Sequence, residues 1–310
     1  MLLTTLFSTL LPMALANPTA TVPCPTGEIQ RHGKVKHPEI NEASGLIVTD
    51  SWLWIHNDSG DGPNLYAVDA EGEKRASIQV HEAYARDWEE MAPFTDDNKK
   101  YFLIGDTGDN KERQDQISFY VIEKPSSNTT SPLLYRFTAD YGELGAKDAE
   151  AFVVDPITKK LLLITKGRDG IIHFLESEFP LPSKYSSSIE PVVNDVHLGA
   201  PHITFTEIAQ QQLGTLPLDK REQSRMITAA TIHPSGEWLI IRNYLSAQAF
   251  HKQSDQLWSE ALANPPCRIP LPLQPQGETL SFSPDGKSLW TISEGEKQSL
   301  YQIHLNFQPE

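Results

Sequence analysis

The sequence predicts an all-β fold, a β-propeller of four-stranded antiparallel blades. Three observations carry this: internal repetition, alternating apolar strands and one recurring turn chemistry. DAEAFVVDPITKKLLLITKG (148–167), MITAATIHPSGEWLIIRNY (226–244) and GETLSFSPDGKSLWTISEG (277–295) align, each with a polar start, an apolar strand, a turn and a second apolar strand. EASGLIVTDSWLWIHNDSG (42–60) joins them directly, and DWEEMAPFTDDNKKYFLIGDTG (87–108) does so with extra turn residues, making five countable units. A β-sandwich also has short strands at regular spacing, but not the same turn at the same place in every unit.

In chain order, residues 1–16 (MLLTTLFSTLLPMALA) are an apolar run ending small-x-small and read as a secretory signal peptide. The run is shorter than the about 20 residues of a membrane span. Residues 17–37 form an N-terminal segment, and 38–310 a single propeller domain. Within each unit the first two strands meet at turns such as DPITKK (155–160), HPSG (233–236) and SPDG (283–286), which are hairpin signals. Third strands follow at 64–72, 117–125, 170–179, 247–252 and 299–305, and fourth strands at 74–80, 133–141 and 267–273. The last unit lacks a fourth strand, which EIQRHGKVK (28–36) can supply; closing the ring in this way removes two exposed sheet edges. The long interval between Glu150 and Thr228, which contains VVNDVHLGAPHITFTEI (191–207), leaves open a degenerate sixth blade or an insertion.

Lys+Arg 26 against Asp+Glu 41 gives a net charge of −15. Without a basic stripe, nucleic-acid partners and polybasic membrane attachment are excluded. The expectation is a secreted or periplasmic monomer that meets a small-molecule substrate, or a glycan or protein ligand, with no membrane insertion. Cys24 and Cys267 are the only cysteines. An oxidising compartment would let them pair, and two buried free thiols are the alternative.

In an antiparallel blade, the start of the innermost strand and the end of the next lie on one face. The leading column of the aligned units reads Ser44, Glu89, Glu150, Thr228 and Glu278, and two residues earlier it reads Glu42, Asp87, Asp148, Met226 and Gln276. The trailing column reads Asn57, Asp106, Lys166, Asn243 and Glu294. These oxygen-rich columns converge on one channel mouth. Oxygen donors without cysteine or paired histidine favour a hard cation, Ca²⁺ first and Mg²⁺ second. Any one of these residues can equally serve a strand-end turn. His56 is a candidate general base, though a lone histidine at a strand end more often packs; Trp88 can stack on a ligand or plug the channel. No GxSxG, HExxH, CxxC or GxxxxGK motif is present, so serine-triad, zinc and phosphate-loop chemistries lose their usual support.

The strings NEASGLIV, GDTGDN, DAEAFVVDP, ITKG and QGETLSFSPDG resemble secreted bacterial propellers of the phytase-like or "esterase-like" kind over residues 38–305. More distantly, the pattern is similar to the senescence-marker-protein/gluconolactonase group. The resemblance implies calcium at the mouth, carried by Asn57, Glu89, Asp106, Glu150 and Glu278. The chain departs from phytases in its few basic residues there, Lys166, Arg168 and Arg242. Two functions follow as expectations. One is a metal-dependent hydrolase of a phosphoester, ester or lactone, with Asp87, Asp148 or His56 as base and Lys166, Arg242 and Glu294 toward substrate. The other is a non-catalytic propeller that binds a protein or glycan, any metal being structural.

Overall fold

The computed structural model describes residues 23–58, 60–126, 130–184, 201–212 and 225–307; the expected signal peptide lies outside them. Among these residues the chain forms five mostly antiparallel sheets, each the blade of a propeller. Blade one is Ala43–Val48, Leu53–Asn57, Asn64–Val68 and Lys74–His81, with Ser131–Pro132 adding in parallel to its outer edge; blade two is Trp88–Asp96, Lys99–Asp106, Ile117–Glu123 and Tyr135–Asp140. Blade three is Ala149–Val154, Lys160–Thr165, Ile172–Glu178 and Thr206–Gln211; blade four is Ile227–Ile232, Trp238–Asn243, Ala247–His251 and Cys267–Ile269. In blade five, Ser281–Phe282, Ser288–Thr291 and Ser299–Asn306 are completed by the N-terminal strand Thr26–Lys34, which pairs antiparallel with Ser299–Asn306. That is the closing strand the sequence suggests. Cys24 and Cys267 are disulfide-bonded with Cα atoms 5.4 Å apart, tying this strand to the edge of blade four.

The described part of 191–207 does not start a sixth blade. His202–Thr204 adds in parallel to the outer edge of blade two, and Thr206–Gln211 is the fourth strand of blade three. Its residues alternate only weakly in burial, as an outermost strand's do, so periodicity carries little signal there.

The core is divided among the five gaps between neighbouring blades. Each gap holds its own apolar cluster: Trp54 and Phe102 pack between blades one and two, Phe119 and Phe152 between two and three, Phe174 and Phe250 between three and four. Leu289 and Ile303 meet Ile240 and Ala249 between four and five, and Trp290 and Leu300 meet Leu46 and Ile55 between five and one. Trp88 belongs to this core; its indole N–H donates to the Tyr84 carbonyl at 3.1 Å. Asp155 pins blade three to blade four. One of its carboxylate oxygens accepts the Ile157 and Thr158 N–H groups at 2.8 and 3.0 Å, and the other accepts the Trp258 indole at 2.9 Å and the Lys252 ammonium at 3.3 Å.

One irregularity recurs in the inner strands. In four blades the register with the second strand skips one residue, between Ala43 and Gly45, Trp88 and Glu90, Ala149 and Ala151, and Ile227 and Ala229. The skipped residues are Ser44, Glu89, Glu150 and Thr228, four of the five members of the leading column. A bulge leaves its extra residue outside the ladder and turns its side chain away from the regular alternation. The repeated bulge thus sets what points into the mouth.

Candidate functional site: an acidic channel mouth

The bulged residues divide by chemistry. The Ser44 hydroxyl donates to the Glu89 carbonyl at 2.6 Å and the Thr228 hydroxyl to the Gly277 carbonyl at 3.0 Å, so both latch one blade to the next. Glu89 and Glu150 are too long for that latch and turn their carboxylates to the mouth, where Glu278, the matching residue of blade five, joins them. There they meet Asp58, Asp87, Asp148 and Glu294 in three overlapping groups: Asp58–Glu278–Glu294, Asp58–Asp87–Glu89 and Glu89–Asp148–Glu150. Within each group one oxygen from every residue lies within 4.8 Å of the others. Asp58 and Glu89 are each shared by two groups, so the seven carboxylates form one row across the mouth.

Crowded, buried carboxylates resist ionisation. Burial, then the charges of Glu150 and Asp58, hold Glu89 well above the usual carboxylate range. Burial pushes Glu150 up to about 7 although the Lys166 ammonium, ion-paired with it, pulls the other way. Burial, a hydrogen bond with Glu294 and the charge of Glu294 push Glu278 up to about 9. Half-buried Asp87 is raised to about 6, by burial first and Asp58 second. Asp148 is pinned: it accepts the Asp109 N–H at 2.9 Å and the Arg168 guanidinium at 2.6 Å. Asp87 and Glu89 carry no ion pair among the described residues.

The GDTGDN string is largely explained by this site. Asp106 accepts the Asp87 and Arg86 N–H groups at 3.0 and 3.4 Å and shapes the chain leading into Glu89. The Thr107 hydroxyl donates to the Ala149 carbonyl at 2.6 Å, latching blade two to blade three. Gly108 lies directly under the Asp87 and Glu89 carboxylates, where any Cβ would overlap them. Asp109 folds the next turn through the N–H groups of Arg113 and Gln114.

Several sequence expectations need correction. Asn57 is not placed as a ligand: its amide oxygen accepts the Asn41 and Glu42 N–H groups, both at 3.2 Å, and its NH₂ donates to the Glu39 carbonyl and Asp61. Asp106 is likewise committed to backbone and to Arg86 at 3.5 Å. His56 is not a base at the mouth. It is fully buried, its Nδ1 bonds the Asn57 carbonyl at 2.9 Å, its Nε2 abuts Gly45, and burial lowers it to about 4, which keeps the ring neutral. Arg242 does not face substrate; it is buried, bracing Asn243, Gln274, Thr279 and Thr291 between blades four and five. Lys166 and Glu294 stay within the carboxylate row as partners of Glu150 and Glu278.

Three site residues escape the column reading. Asp58 lies one place beyond the trailing column, at the centre of the row, and Tyr244, in the same column, hydrogen-bonds Glu278. Glu90 follows the bulge of blade two and is fully buried; its carboxyl accepts the Met91 N–H at 3.0 Å and, across the channel, the Ala230 N–H of blade four at 3.1 Å. Shifting the trailing column by one position would have found Asp58 and Tyr244. Nothing in the repeats marks Glu90, whose counterparts are Gly45, Ala151, Ala229 and Thr279.

No protein-family model and no curated protein matches the sequence. Among solved structures, the chain is similar to the Myxococcus xanthus glutaminyl cyclase, at 9% identity and a TM-score of 0.47 over 93% of this chain and 100% of that one. It is also similar to a luciferin-regenerating enzyme, at 9% identity and a TM-score of 0.45 over 90% and 95% of the two chains. Chaetomium thermophilum Raptor aligns at 9% identity and a TM-score of 0.43, over 92% of this chain and 29% of that one. The functional reading therefore rests on the residues of the mouth.

Proposed function

We propose that the acidic mouth binds a divalent cation, calcium before magnesium, and that the protein is a secreted, metal-dependent hydrolase of a phosphoester, ester or lactone. The observation that carries the cation is the row of overlapping carboxylate groups. Oxygens on opposite sides of a bound Ca²⁺ are separated by at most about 5 Å, twice the Ca–O distance, and the oxygens of each group lie within 4.8 Å of one another. The donors are all hard oxygens, and a dication would neutralise charge that protons otherwise hold down at Glu89, Glu150 and Glu278. Glu89, shared by two groups, would be the central ligand, joined by Asp58 in one group or by Glu150 in the other. A bound cation supplies Lewis acidity to a substrate oxygen.

Asp87 is the group suited to proton transfer. It is partly exposed and has no ion pair among the described residues, so its carboxylate is free to face a substrate or a water beside the cation. Asp148, held by Arg168, is a positioning residue in this reading. Secretion is supported by the apolar leader and by the Cys24–Cys267 disulfide; no helix among the described residues is long and apolar enough to cross a membrane. The test is thermal melting with EDTA and then with Ca²⁺ or Mg²⁺ restored, beside turnover of p-nitrophenyl phosphate, p-nitrophenyl esters and lactones. Metal-dependent turnover is expected, lost in Glu89→Gln together with the metal-induced shift, and lost in Asp87→Asn with the shift retained. A metal-induced shift without turnover of any substrate would leave the non-catalytic propeller as the reading.

A further inference from the structure

We propose that the channel carries a second binding site at the end opposite the acidic mouth, and that it takes an amphipathic anion, an apolar body bearing a carboxylate or phosphate head. The inner strands start at the mouth and end at the other face, and Glu90 lies across the channel between the two ends, bonded to blade two and blade four. Beyond it is a cavity of about 290 Å³ to which every blade contributes the end of its inner strand. Leu46, Met91, Val153, Ala230 and Leu280 are among its lining residues. The volume is near the lower end of the ~300–1,000 Å³ typical of ligand pockets, and apolar walls favour an apolar occupant over water.

The rim supplies the sign of charge. Four charged residues line the cavity, Asp50, Lys100, Lys124 and Lys159, so three of the four are cationic in a chain whose net charge is −15. Asp50 takes Lys100 at 3.4 Å, while Lys124 and Lys159 have no carboxylate partner among the described residues. Lys159 sits at φ 59°, where glycine or asparagine is the comfortable choice, and its ammonium reaches the Thr95 carbonyl of blade two at 3.2 Å. The rim is also preformed. Pro156, Pro234 and Pro284 occupy the same place in three hairpin turns and line the cavity, and proline fixes φ there before any ligand arrives.

The experiment is isothermal titration of the mature chain with decanoate, decyl phosphate, decanol and decyltrimethylammonium, with Ca²⁺ binding measured in parallel. One-site binding of one or both anions is expected, the better anion naming the head group. Decanol should bind about tenfold or more weakly and the cation not at all. Lys124→Glu combined with Lys159→Glu should weaken the anions about tenfold or more, and Ala230→Leu, which fills the cavity, should remove binding; Ca²⁺ affinity should be unchanged in each. Failure of both anions to bind, equal binding of the cation, or indifference to the surface lysine pair overturns the proposal. None of these results depends on hydrolysis at the mouth.

Discussion

Gly108 holds its place by what lies above it: the carboxylates of Glu89 and Asp87 rest where a Cβ would stand. Gly108→Ala must push one or both aside, so Ca²⁺ affinity is expected to fall about tenfold, or about 1.4 kcal/mol, with the far-UV spectrum unchanged. Calcium titration checks this, and an unaltered affinity would remove Glu89 from the site. Arg242 gives the opposite expectation. Buried and hydrogen-bonded to two backbone carbonyls and two side chains, it should cost about 3 kcal/mol or more as Arg242→Met, measured by urea unfolding, with no selective change in KM. At this scale the sequence showed which residue types gather at the mouth but not which had spare lone pairs. Asn57 and Asp106 look like ligands in a column of oxygens, yet backbone N–H groups already occupy them. Hydrogen-bond accounting of that kind needs coordinates.

The inner hairpins, their turn positions and the closing strand were legible because each rests on local pattern: apolar alternation, Pro/Gly turns and a last unit one strand short; the fourth strand of blade three, Thr206–Gln211, was not. Nor was the bulge. It places Ser44, Glu89, Glu150 and Thr228 outside the ladder, but a single inserted residue is invisible when the aligned units share it. Its effect depends on side-chain length, for a serine or threonine latches the neighbouring blade whereas a glutamate reaches the mouth. Thr228→Val, which removes the latch to Gly277 and leaves a buried carbonyl short of a donor, should cost about 1–2 kcal/mol by urea unfolding. The closing strand gives a larger effect. Cys24 and Cys267 are 243 residues apart, so the disulfide removes much of the unfolded chain's freedom, and Cys24→Ser with Cys267→Ser should cost about 2–5 kcal/mol. An unchanged unfolding midpoint would mean that strand pairing alone holds the ring closed.

For the whole molecule, the acidic balance becomes a pH dependence whose sign follows from the mouth. Glu278 at about 9, Glu150 at about 7, Asp87 at about 6 and the raised Glu89 all bind protons more tightly folded than unfolded, where carboxylates titrate near about 4. Their contribution to stability is therefore complete below about pH 4 and is lost as pH rises through about 6 to 9. Asp155 and Asp140, held low by the hydrogen bonds they accept, act in reverse: their contribution is present above their unfolded pKa and lost as pH falls through the folded one. With metal removed, the two trends set the stability maximum on the acid side of neutrality. Calcium competes with the protons of the first set, so it should stabilise little at about pH 5 and most at about pH 9, moving the maximum upward. Melting curves from pH 4 to 9 in EDTA and in Ca²⁺ test this. A melting temperature that rises with pH in EDTA, or a calcium shift of one size at every pH, would show that the carboxylate row is not where charge and stability meet.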